Sequence, residues 1–61
     1  MIKPQLRQVW RKKTSGDRLK VIKLLSGETK VIDTDGSNQG KQYTIPNHKL
    51  NGVDYILISN G

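Results

Sequence analysis

The chain predicts a small all-β fold of five short strands, with one helical turn before the last. Three observations lead there. The 61 residues leave room for a single hydrophobic core. β-branched and aromatic runs recur at roughly ten-residue intervals, the spacing of short strands in all-β domains. Each run is bounded by Gly, Asn, Asp or Pro, the residues that supply turn conformations.

The first strand is expected over Leu6 to Lys12, with Leu6, Gln8 and Trp10 on one face and Arg7, Val9 and Arg11 on the other. Thr14-Ser15-Gly16-Asp17 ends it in a turn. The second runs from Leu19 to Leu25. Leu19 and Val21 alternate with Lys20, then Ile22, Leu24 and Leu25 break the period of two, which predicts a bulge or bend near Lys23. A helix is the competing reading, since Leu19, Ile22 and Leu25 are spaced by three. The stretch is short, β-branched and bracketed by Gly16 and Gly27, so strand is preferred.

Ser26-Gly27 suits a tight hairpin leading into a third strand, Thr29 to Thr34, with Val31 and Ile32 on opposite faces. Asp35 to Gly40 reads as an exposed, mobile loop. Lys41 to Ile45 is the fourth strand, with Tyr43 and Ile45 on one side. Pro46 to Leu50 suits one turn of 3₁₀ helix, because proline lacks the amide donor a central strand needs. Val53 to Ile58 is the most apolar run, which predicts a central place in the sheet. The whole chain, 1–61, reads as one domain with residues 1–5 flexible.

This order of elements, together with particular residues, carries a resemblance. Gln8-Val9-Trp10, Gly16, Leu19-Lys20-Val21, Ile45, Leu50 and Tyr55-Ile56-Leu57 resemble a group of short SH3-like proteins encoded by phages and prophages. Those proteins tend to read Gly-Gln-Val-Trp near the start and Tyr-x-Leu near the end; here Arg7 stands where the glycine is usual. The resemblance implies a five-stranded SH3-like barrel of phage type and no particular activity.

Composition removes several function classes. Cysteine is absent, which excludes thiolate zinc sites, thiol nucleophiles and disulfides. His48 is the one histidine and sits in a polar turn, so neither a catalytic triad nor a metal site is expected around it. Asp33 and Asp35 share a strand face by spacing, but Asp35 reads as a turn residue rather than half of an acid–base pair. Gly36 to Lys41 falls one residue short of a phosphate loop and no helix follows it. The expectation is a non-enzyme without cofactor or metal. The N-terminus lacks an apolar stretch of secretory type, and no run approaches a membrane span, so the cytoplasm is expected, that of the host cell if the chain is phage-encoded.

Charge is the strongest functional signal. The formal net charge is +6, yet residues 1–23 carry eight basic groups against Asp17 alone, and residues 24–61 are slightly acidic. The candidate binding residues are Trp10, Arg11, Lys12, Lys13, Arg18, Lys20 and Lys23. On two neighbouring strands, Arg11, Lys13 and Lys20 would form a basic stripe with Trp10 offering a ring for base stacking. A nucleic acid is the first partner this suggests. The alternatives are an acidic surface of a host defence or nucleic-acid-processing protein, approached under electrostatic steering, and sequestration of a small ligand or nucleotide by a homo-oligomer.

Overall fold

The computed structural model describes residues 4–60. Five strands, β1 (Val9–Lys12), β2 (Arg18–Leu25), β3 (Glu28–Asp33), β4 (Gln42–Pro46) and β5 (Tyr55–Ser59), form one antiparallel sheet in the order β4-β3-β2-β1-β5, and a short helix, α1 (Asn47–Leu50), precedes β5. The all-β class expected from the turn spacing is what forms. No helix among the described residues is long and apolar enough to cross a membrane.

Alternation sorts the side chains. Trp10, Leu19, Val21, Val31 and Ile45 occupy one face of the sheet and, with Leu50 from α1, make up the core. The tryptophan is 2% exposed. Its indole N–H donates to Gln8 Oε1 at 3.2 Å, and the same oxygen accepts the Gln5 backbone N–H at 2.8 Å. A buried indole needs such an acceptor, so Gln8 and Trp10, two apart and on one face, work as a structural pair. The flexibility expected of residues 1–5 falls in part on residues 1–3, outside the described residues; Pro4 is buried and Gln5 is held by Gln8.

The irregularity expected in the second strand is present. Val21 pairs with Val31 and Lys23 with Lys30, which leaves Ile22 as an extra residue on β2. Past this bulge the pairing resumes with Leu24 opposite Thr29, so the alternation slips by one and the apolar pattern of Ile22, Leu24 and Leu25 follows. Arg7 adopts φ 72 and lies just outside β1. That left-handed conformation favours glycine and disfavours a side chain, and it ends the strand short of the Leu6 start expected.

Three expectations are corrected. The sheet is open rather than closed into an SH3-like barrel: β4 and β5 are its two edges, with no ladder between them. Closure requires every strand to pair on both sides. Here Pro46, which has no N–H to donate, ends β4, and α1 leads the chain away before β5 begins. The helical turn is α rather than 3₁₀, since the Asn51 N–H bonds to Asn47 O at 3.0 Å and its side-chain amide reaches the same carbonyl at 3.2 Å. Thr29 Oγ1 further fixes Asn47 through a 2.6 Å bond to its Oδ1. Finally, β5 is an edge strand rather than a central one. Its apolar residues face both ways, and Ile56 and Ile58 remain exposed.

Candidate polyanion-binding face and neighbouring groove

The face of the sheet opposite the core collects the cations. Arg11 on β1 stands directly opposite Arg18 on β2, and Lys23 stands directly opposite Lys30 on β3. Between these two pairs Lys20 is flanked by Val9 and Ile32 in one row across three strands. Five cations therefore share a face by register, interleaved with the half-buried Val9 and Ile32 and the exposed Ile22 and Ile56. Among the described residues, Glu28 is the one carboxylate at a ladder position of this face, at its far end opposite Leu25.

Like charges directly opposite one another in a sheet repel, at a cost of about 0.2–1 kcal/mol per pair. Two such pairs on one face are an arrangement that folding alone does not favour. Arg18 has partial relief: its Nε lies 3.9 Å from Asp35 Oδ2 and its backbone N–H donates to Asp35 Oδ1 at 3.0 Å. Both side chains are exposed, so the ion pair contributes little. It is the one ion pair among the described residues.

The stripe expected from the sequence is partly assembled and partly dispersed. Arg11, Arg18, Lys20 and Lys23 come together on the outer face. Lys13 leaves the strand for the β1–β2 turn, where its N–H binds Asp54 O at 2.8 Å. Lys12 points to the core side, opposite Tyr55 of β5. Trp10, the expected stacking ring, is enclosed in the core and presents no face to a ligand, because its alternation parity places it with Leu19 rather than with Arg11. Lys30 escapes sequence reasoning. Its neighbourhood in the chain is neutral, and only the post-bulge register sets it against Lys23.

A second grouping is also invisible in the sequence. The carboxylates of Asp17, Asp33 and Asp35 lie within 4.8 Å of one another at the end of the sheet where the β1–β2 turn meets the β3–β4 loop. Asp33 is buried and accepts the Asp35 N–H at 3.1 Å. Burial raises its pKa; the Asp35 N–H opposes that rise, and neighbouring Asp17 and Asp35 add to it. The loop is tied down by backbone bonds from Gly40 N–H to Asp33 O and from Asp33 N–H to Lys41 O, both 2.8 Å. Glycine suits position 36: its φ is 77, and a Cβ would approach Asp17 Oδ1 to 2.8 Å, so that the Asp17 side chain would have to shift. Three carboxylates so placed are oxygen donors of the kind hard cations take.

On the core side, a groove of about 350 Å³ opens between the β1–β2 turn, β4 and α1. Its base includes the buried Leu19 and Ile45, and Tyr43 and Tyr55 enter from the two edge strands. Lys12 and Lys49 are its cations.

Against protein-family models, curated proteins and solved structures, the chain has no match.

Proposed function

We propose that this protein is a non-catalytic binding module whose outer sheet face holds the phosphate backbone of nucleic acid. The observation that supports the reading is the pair of like-charge juxtapositions, Arg11–Arg18 and Lys23–Lys30, with Lys20 between them. Their mutual repulsion is relieved when a repeating anion lies across the face, so bound ligand removes an energetic cost that the free fold carries. Phosphate-directed binding positions a nucleic acid without reading its bases. With Trp10 enclosed, this face lacks an aromatic platform, so binding is weakly sequence-selective and strongly dependent on salt.

The test is a titration of labelled single-stranded and duplex oligonucleotides over a range of ionic strength. For the wild type, affinity should fall steeply with salt. In a variant with Arg11, Lys20, Lys23 and Lys30 all changed to Gln, the slope of log affinity against log salt should shrink by about one for each phosphate that is no longer neutralised. No binding at low salt, or an unchanged slope in the variant, refutes the reading.

An acidic protein partner is the second reading, favoured by the apolar residues among the cations, exposed Ile22 and Ile56 in particular. Interfaces combine apolar cores with charged rims, and the resemblance to phage-encoded proteins makes a host factor the expected partner. A nuclease-treated pulldown from host lysate separates the two: one stoichiometric protein that persists, and no longer binds the fourfold variant, supports the second reading.

A further inference from the structure

The groove on the core side has a composition that the outer face lacks: aromatic rings next to cations. Tyr43 is 39% exposed and stands on β4 opposite Val31, so its ring projects from the core side of one sheet edge. Tyr55, half-buried, stands on the other edge strand directly opposite Lys12. Both rings and both ammonium-bearing chains, Lys12 and Lys49, line the same space. Asn38 from the β3–β4 loop lies along the same space.

We propose that this groove is a subsite for one nucleotide, with Tyr43 and Tyr55 flanking the base and Lys12 and Lys49 holding its phosphate. The assignment rests on the nucleic-acid reading and deepens it, by supplying the stacking surface that buried Trp10 cannot provide. Four features support it together. The volume of about 350 Å³ is at the small end of ligand pockets and suits a single mononucleotide rather than a folded domain. The rings offer π-faces, which take any base. The two exposed lysines match a phosphate in charge, a complementarity that an uncharged apolar peptide does not offer. Asp17, the one carboxylate lining the groove, is turned into the Asp33–Asp35 cluster, its ligand-forming oxygen within 4.8 Å of theirs.

The site is separable from the outer face. Lys12 and Lys49 are distinct from Arg11, Arg18, Lys20, Lys23 and Lys30, and Tyr43 lies outside the buried core, so its ring can be removed without opening a cavity.

The experiment is a backbone-amide NMR titration of the full chain with 5′-AMP, with adenosine and ribose 5-phosphate as controls that each lack one half of the ligand. Saturable shifts at Lys12, Tyr43 to Ile45 and Lys49, with both controls binding at least about tenfold more weakly, support the subsite. Tyr43→Leu should weaken 5′-AMP about tenfold and leave duplex DNA affinity unchanged. The fourfold outer-face variant should do the reverse. Shifts confined to the outer face, equal binding of ribose 5-phosphate and 5′-AMP, or no effect of Tyr43→Leu overturns the groove assignment and leaves the outer-face reading standing. Groove binding of 5′-AMP without any duplex or single-strand affinity overturns the outer-face reading and leaves the groove a mononucleotide site.

Discussion

The two faces of this single sheet obey opposite rules. On the core face Trp10, Leu19, Val21 and Val31 are apolar, and the buried polar groups beside them are held: Thr29 is bonded to Asn47, and Asp33, opposite Leu19, accepts the Asp35 N–H. The apolar residues there are placed as burial demands, and Asp33 is the exception. On the outer face the same ladder sets Arg11 against Arg18 and Lys23 against Lys30, an arrangement that burdens the fold. The buried apolar core thus lies on one side of the sheet, and the like-charge repulsion on the other. A domain of this size has a thin margin, so charge repulsion retained on one face is a cost that the fold carries.

The sharpest way to test the division is to damage the core face alone. Leu50 is fully buried and joins α1 to the sheet, so Leu50→Ala should cost about 2–5 kcal/mol of folding stability, measured by denaturant unfolding. The salt slope of any nucleic acid binding by the remaining folded fraction should stay the same. A changed slope at full occupancy would show that the two faces are not independent.

A smaller effect of opposite sign is expected on the outer face. Lys30→Glu turns the repulsive pair with Lys23 into an attractive one and should stabilise the fold by about 0.2–1 kcal/mol while weakening polyanion binding. Denaturant unfolding and the oligonucleotide titration measure the two effects separately. Reduced stability here would break the comparison, because it would mean that Lys30 supports the fold.

The subtlest expectation concerns the acidic end where the faces meet. The folded-state pKa of Asp33 is raised, chiefly by burial, so above that pKa the folded protein bears a cost that the unfolded chain does not. As pH falls through it, the folded state takes up the proton first, and stability from this group rises until the unfolded pKa is passed. Asp33→Asn should flatten that part of the curve of unfolding midpoint against pH and raise the midpoint at neutral pH. An acid-side slope identical to that of the wild type would exclude Asp33 as its source.

How far the sequence can be read depends on the range of the interaction concerned. The bulge is legible because Val21, Ile22, Leu24 and Leu25 break a local alternation, and the Ser26-Gly27 hairpin because Gly27 takes φ 73. Trp10 is ambiguous in the sequence, since a ring beside Arg11, Lys12 and Lys13 suits either a core or a ligand. Alternation puts Gln8 on the same face, but only the hydrogen bond between them gives Gln8 its role and fixes the ring inside. Asp17 cannot be joined to Asp33 and Asp35 from the sequence, because nothing local links residue 17 to residue 33 until Leu19 pairs with Asp33 across β2 and β3. The edge position of β5 defeats sequence reasoning for a similar reason: apolar content speaks for burial, but which strands flank it is decided by pairing.

By itself, then, the sequence determined the strand count, the turns, the slip in β2 and the one-sided charge. All four follow from sterics and polarity within a few residues. The tertiary structure alone decided that the sheet stays open, that Lys30 joins Lys23, that three carboxylates meet, and that Tyr43 and Tyr55 share a groove. Each of these is set by strand register and by packing between residues far apart in the chain, where the energy depends on the partner and not on the local pattern.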